Sequence, residues 1–245
     1  RGAGGRFTTS RDAYPDGLRA DMGAQYASVD PKDTESVALM EAIVDRGAAA
    51  VLDNTSLAET AERPEGFLHY RGTSGQNGIV KEMLSISEAD VTYKRRVNKI
   101  DARQGSWMVT AFDGAREDFD CVVLCVPGRG PGGDNLNKIH GTWERQLMGD
   151  QLTDVETPHD CRYSLAMWLE AGHTDALHAF FGDAIERRTS AGDVEMLIWQ
   201  SRKDGEPFEG PQVVVAHTRQ GVRGNKQKAL PQMLGEACRT IQIPT

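Results

Sequence analysis

The sequence predicts a mixed fold, α/β or α+β, in which helices and strands alternate along the chain. Three observations carry that expectation. Residues 34–47 (TESVALMEAIVDRG) have helical spacing. Residues 90–126 hold three extended segments separated by turns. Strand-like runs at 162–170, 194–201 and 211–218 are followed by a second helical pattern at 230–242. At 245 residues and 26.8 kDa the chain has room for one large domain or two small ones, and for a sizeable core.

Each element has its own signal. Residues 1–12 (RGAGGRFTTSRD) read as a loop, and 18–28 as a short extended segment. The helix at 34–47 takes Thr34 as its N-cap, places Val37, Met40, Ile43 and Val44 on one stripe, and stops at Gly47. Arg63-Pro64-Glu65-Gly66 signals a turn before an edge strand at Phe67, Leu68 and Tyr70. Residues 72–87 give a Gly-rich turn and then a helix with Ile79, Val80, Met83 and Leu84 inward.

In the 90–126 region, DVTYKRRVNKID and SWMVTAF alternate as half-exposed strands do. FDCVVLCVP is a continuous apolar run, expected as a buried strand. Its Cys121 and Cys125 share one face, too far apart for a disulfide, and are expected as buried thiols beside Val122, Val123 and Leu124. Pro127 and GRGPGG (128–133) mark a break, and 141–151 a helix. RKDGEP is expected as a hairpin-like turn between the last two strands. The helix at 230–242 carries Pro231 in its first turn, with Leu230, Met233, Leu234, Ala237 and Ile241 inward.

Composition excludes several classes. The apolar set is 39% and the charged set 26%, which rules out a disordered chain. A net charge of −8 and a pI near 5.3 provide no general basic surface for nucleic acid. Mean hydropathy is −0.49, and no run approaches the eighteen or so apolar residues of a membrane span. The four cysteines form no C-x-x-C pair and the six histidines are scattered, so no metal site is predicted. A reducing, cytoplasmic location is the expectation. The chain begins with Arg1 rather than Met, and it reads as starting inside a longer sequence.

The segment RGAGGRFTTSR followed by ADMGAQY carries the most chemistry. Gly4 and Gly5 lack Cβ, so backbone there can approach a bulky ligand. Arg6 provides a planar fork for a phosphate or carboxylate. Thr8 and Thr9 offer hydroxyls, Gly23 and Ala24 a second small surface, Gln25 an amide and Tyr26 a ring. Together they would suit a dinucleotide. The bland alternative is a loop and a strand with no ligand.

These segments resemble the flavin amine-oxidase superfamily, and most closely its renalase branch, in which GGRxTT and ADxGAQY occur at this spacing. GQNGIVKEML, DVTYKRRVNKID, SWMV, FDCVVLCVP, RYSLAMWLEAG, RKDGEP and PQVVVAHT follow that branch in order, so the resemblance covers most of residues 1–240. It implies an α/β protein in which a Rossmann-like FAD/NAD(P)-binding domain (1–30 and 74–128) is interleaved with a mixed-sheet substrate domain (31–73 and 129–245). Both are incomplete: the G-x-G-x-x-G unit would precede Arg1, and the segment closing over the flavin would follow Thr245.

By matching positions, Arg6, Gln25 and Tyr26 would contact FAD. Gly4 and Gly5 would pass its pyrophosphate or isoalloxazine, and Val97 would lie near the adenine end. The implied activity is hydride transfer from a small reduced substrate of dihydronicotinamide type to the flavin, which dioxygen reoxidises to give hydrogen peroxide. No catalytic acid or base is named. Tyr163, Met167, Trp168, Trp199 and His217 are candidate pocket walls, each weighed against simple core packing. An amine oxidase or desaturase of the same superfamily is one alternative; a truncated, non-catalytic fragment that does not bind FAD is another.

Overall fold

The computed structural model describes residues 3, 5–10, 17–53, 56–57, 66–126, 139–142, 162–219 and 226–244. Gly4, Cys161, the GRGPGG stretch and the helix expected at 141–151, apart from its first two residues, lie outside them. The chain divides into two compact units: Thr92–Cys161, and a larger one built from Gly2–Val91 with Arg162–Thr245. Helices and strands are interspersed as expected, and every pairing between strands is antiparallel among the described residues.

The larger unit opens with a 3₁₀ turn at Gly5–Phe7, followed by β1 (Thr9–Ser10) and β2 (Ala20–Asp21), which pair as a short ladder. A three-stranded sheet follows, formed by β3 (Ala27–Val29), β4 (Ala49–Leu52) and β5 (Leu68–Gly72) in the order β3-β5-β4. The strand expected at an edge is therefore central: β3 and β4 both pair with β5, and its His69 and Tyr70 are buried.

Helix α1 (Thr34–Asp45) covers this sheet with Met40 and Ile43. Its N-cap is Asp33 rather than Thr34. The Asp33 carboxylate accepts from the Ser36 N–H at 3.1 Å, and that bond together with the Ser36 hydroxyl holds its pKa below the usual value. Gly47, at φ +75°, turns the chain into β4. Helix α2 (Gln76–Ile86) adds Ile79 and Met83 to the same cluster.

The second sheet of this unit comprises β9 (Ser164–Leu169), β10 (Glu186–Arg188), β11 (Val194–Trp199) and β12 (Gln212–Thr218), in the order β10-β11-β12-β9. All seven residues of β12 are buried, and the strand serves two cores with period 2. Val214 and Ala216 face a cluster with Trp199, Leu177 and Phe181, whereas Val213 and Val215 face Leu18, Ala20 and Ile198. The second face is where the N-terminal ladder packs.

Helix α3 (Thr174–Phe181) and β10 carried no sequence expectation. The RKDGEP turn is corrected: Gln200–Asp204 form one turn of helix, α4, which Gly205 closes in the left-handed region at φ 79°. Helix α5 (Lys226–Ile241) starts earlier than expected, so Pro231 lies inside it rather than in its first turn. Met233, Ala237, Cys238 and Ile241 are buried, but Leu230 and Leu234 are exposed, so the contact stripe is narrower than the spacing predicted.

The smaller unit holds β6 (Val97–Arg103), β7 (Ser106–Ala111) and β8 (Arg116–Phe119) as a meander. The buried strand expected from FDCVVLCVP is not found. Only Phe119 is in a strand, residues 120–126 form no regular element, and Cys121, Cys125 and Val123 (79%) are exposed. Val122 and Leu124 pack against Ile100 and Ile139, so period 2 survives. An apolar run becomes a buried strand only if neighbours take up its backbone donors and acceptors. Among the described residues, no strand pairs with this segment.

Candidate functional site

The N-terminal segment of the larger unit folds around one buried carboxylate. Asp21 ends β2 and has no exposed surface. Its Oδ1 accepts from the Thr9 hydroxyl at 2.6 Å and the Gln76 N–H at 2.9 Å. Its Oδ2 accepts from Lys203 Nζ at 2.7 Å and Gln200 Nε2 at 3.4 Å. Burial alone would raise the Asp21 pKa, but the Lys203 charge and hydrogen bond, with those of Thr9 and Gln76, outweigh it and hold the carboxyl below its ordinary value. Thr9 thus spends its hydroxyl on Asp21.

Lys203, on α4, directs its ammonium at this same loop. Besides Asp21 it donates to the Gln25 carbonyl at 3.0 Å and to Gln25 Oε1 at 3.3 Å, which matches its three N–H groups to three acceptors. Next to it, Asp204 Oδ2 accepts from Arg19 Nε at 3.0 Å and Gln200 Nε2 at 2.9 Å. Asp204 Oδ1 is buried without a partner, and burial raises its carboxyl pKa despite Lys203 and Arg19.

The orientation of Gln25 follows from chemistry. Its Nε2 donates to the carbonyls of Asp21 (2.5 Å) and Gly23 (3.1 Å), so nitrogen rather than oxygen must face them. That nitrogen is also 2.9 Å from His217 Nε2, so its two hydrogens are shared among three acceptors; an amide nitrogen does not accept, and His217 Nε2 therefore faces it unprotonated. His217 Nδ1 accordingly carries the proton and donates to Ser164 Oγ at 2.9 Å. Burial, then the Arg162 and Lys203 charges, push the His217 pKa down to about 4, in keeping with a neutral ring.

Above this braced loop, the ladder of β1 and β2 continues towards Arg6. The Met22 N–H donates to Thr8 O at 2.9 Å and the Ala24 N–H to Arg6 O at 2.8 Å. A Cβ on Gly23 would lie 1.6 Å from Arg6 O, so only glycine permits this approach. The small surface expected at Gly23 is therefore taken by the Arg6 backbone. Gly5 lies in the exposed 3₁₀ turn at φ +48°, with open space where a Cβ would be. The Arg6 guanidinium is exposed, and it donates to no acceptor among the described residues.

The structure gathers Gly5, Arg6, Gln25 and Tyr26 in one region of the larger unit. The Tyr26 hydroxyl donates to Glu186 Oε2 at 3.1 Å, and its ring stands edge-on to His69 at 5.2 Å. Val97 opens β6 in the smaller unit and packs with Ile100. Of the candidate pocket walls, Met167 and Trp199 are core, Tyr163 packs against that core, Trp168 is 42% exposed, and His217 belongs to the buried polar network. Sequence reasoning missed Lys203, Asp204 and Arg19, and gave Asp21 no role. The available signal was Asp21 itself, an acid between Ala20 and Met22 with Arg19 two residues before it. Among the described residues, no group of three or more His, Cys, Asp or Glu is placed to hold a metal ion.

No protein-family model matches the sequence. Renalase of Mus musculus is 31% identical over 175 residues, which is 69% of this chain and 48% of that protein. The chain therefore spans about half the length of the curated relative it matches. Two putrescine oxidase variants, from a structure-based redesign of cofactor binding, share its fold. One has a TM-score of 0.52 at 12% identity, over 74% of this chain and 40% of that one. The other has a TM-score of 0.50 at 14% identity, over 70% of this chain and 36% of that one. The chain is a homologue of renalase.

Proposed function

We propose that this chain belongs to an FAD-dependent oxidoreductase that oxidises a small substrate of dihydronicotinamide type, with dioxygen as the final acceptor and hydrogen peroxide as product. One observation carries the cofactor reading. Arg6 offers an exposed guanidinium with no acceptor among the described residues, on a turn whose Gly5 leaves room for a bulky group and whose backbone is fixed from beneath. This donor chemistry fits a diphosphate, which Arg holds by paired N–H groups. Bound FAD would supply the redox chemistry of the reaction.

The residues divide the work. Arg6 would hold the phosphates and Gly5 would let them approach. Gln25 would act as a brace, since its side-chain amide is committed to Asp21, Gly23, His217 and Lys203. The proposed adenine contact of Val97 rests on the resemblance alone. A cytoplasmic setting accords with the free thiols of Cys121, Cys125 and Cys238. No helix among the described residues is long and apolar enough to cross a membrane.

The test is direct. The 245-residue chain is incubated with FAD and desalted, and its visible spectrum is recorded. Retained flavin absorption that is lost in Arg6→Ala supports the reading; a colourless wild-type chain overturns it.

A further inference from the structure

We propose that Lys203 is a positioning residue for the Arg6 turn, 197 residues or so away in sequence but two hydrogen-bonded links away in space. The first link is the ammonium itself. Its donors go to Asp21 Oδ2, at the end of β2, and to Gln25 O and Gln25 Oε1 on the loop that follows. The second link is Gln25, whose amide nitrogen clasps the carbonyls of Asp21 and Gly23. The loop held in this way presents the Met22 and Ala24 N–H groups to Thr8 O and Arg6 O, and it brings Gly23 against the Arg6 carbonyl. The height and angle of the Arg6 backbone are thereby set from below.

A structural role alone does not require this arrangement. A buried ion pair is no better for stability than well-packed apolar side chains of similar volume. Lysine here does what an apolar residue would not: it binds a backbone carbonyl and a side-chain carbonyl of one loop residue while neutralising Asp21. The arrangement of donors fixes a conformation, and the group left free by that conformation is the Arg6 guanidinium. The functional consequence, cofactor retention through Arg6, rests on the reading proposed above. The positional claim does not.

Two measurements on the full chain separate these. The first is a double-mutant cycle on FAD affinity, read from quenching of flavin fluorescence, with Arg6→Ala, Lys203→Met and the double variant. Lys203→Met is expected to weaken FAD binding about ten- to a hundredfold, the range of a lost charged hydrogen bond. The double variant is expected to bind no more weakly than Arg6→Ala. An unchanged affinity in Lys203→Met, or effects that multiply, overturns the inference.

The second measurement is amide hydrogen exchange at Met22 and Ala24, which needs no cofactor. Lys203→Met is expected to speed their exchange about tenfold or more beyond any acceleration of the β12 amides, which report the loss of global stability. Unchanged exchange at both amides, or equal acceleration in β12, overturns the inference. If Lys203→Met fails to fold, Gln25→Leu breaks the second link without stranding a buried charge, and the same outcomes apply to it. Should the wild-type chain retain no FAD, the proposed cofactor reading fails on its own, and the exchange result still decides the role of Lys203.

Discussion

Lys203 Nζ and Asp21 Oδ2 lie 2.7 Å apart with both side chains buried, and 182 residues of chain separate them. Removing one member of such a pair leaves the other charged and dry. Lys203→Met is expected to lower stability by about 3–5 kcal/mol in urea denaturation. Adding Asp21→Asn to that variant should recover part of the loss, because the stranded carboxylate is gone. A double variant less stable than Lys203→Met would show that Asp21 matters for its bonds to Thr9 and Gln76 rather than for its charge.

His217 makes stability depend on pH with a definite sign. Its folded-state pKa of about 4 lies below the ordinary 6.5, so the unfolded chain binds the extra proton first. The stability conferred by the neutral ring is complete above pH 6.5 and is lost as pH falls towards 4, by about 3 kcal/mol at pH 4. Asp204, whose carboxyl is raised by burial, acts in the opposite direction as pH falls. Wild type and His217→Phe should therefore be compared at matched pH. The stability difference between them should narrow between pH 7 and pH 4; a constant difference would exclude His217 as the source.

Gly23→Ala tests the close approach to Arg6. The new Cβ would meet a backbone oxygen at 1.6 Å, and no side-chain rotation relieves that contact. A loss of about 1–3 kcal/mol is expected, with weaker FAD retention from the displaced turn. Gly205→Ala, in the left-handed region at φ +79° but with open space around it, should retain FAD as wild type does and serves as the comparison.

Trp199 separates packing from hydrogen bonding. It is fully buried, stands among Phe181, His178 and Phe208, and donates its indole N–H to Gln212 Oε1 at 2.8 Å. Trp199→Ala should cost about 3–5 kcal/mol. Trp199→Phe should cost about 1–3 kcal/mol, because it keeps most of the volume but strands the Gln212 oxygen. Thermal denaturation of the two variants measures the interval.

Local signals were legible wherever a short periodic pattern decides the outcome. The α1 stripe of Met40 and Ile43 and the strands 164–169 and 212–218 are found where spacing places them. The errors came from partners that a sequence does not reveal. Leu68–Gly72 is central because β3 and β4 both reach it, and 120–126 forms no strand because among the described residues no strand pairs with it. The functional site divides in the same way. The glycine and arginine motif stands out in the sequence by residue type, and the role proposed for Gly5 and Arg6 rests on properties those residues carry by themselves. The brace was not, because Asp21, Lys203 and His217 acquire their meaning only from neighbours nearly two hundred positions away.

That separation sets a timetable for the growing polypeptide. A ribosome adds about 5–20 residues per second, so Asp21 leaves it roughly ten to forty seconds before the lysine that neutralises it exists. Throughout that interval Asp21 lacks the ammonium that neutralises it in the folded chain. The contacts that Lys203 makes with Asp21 and Gln25 can form only once α4 has emerged.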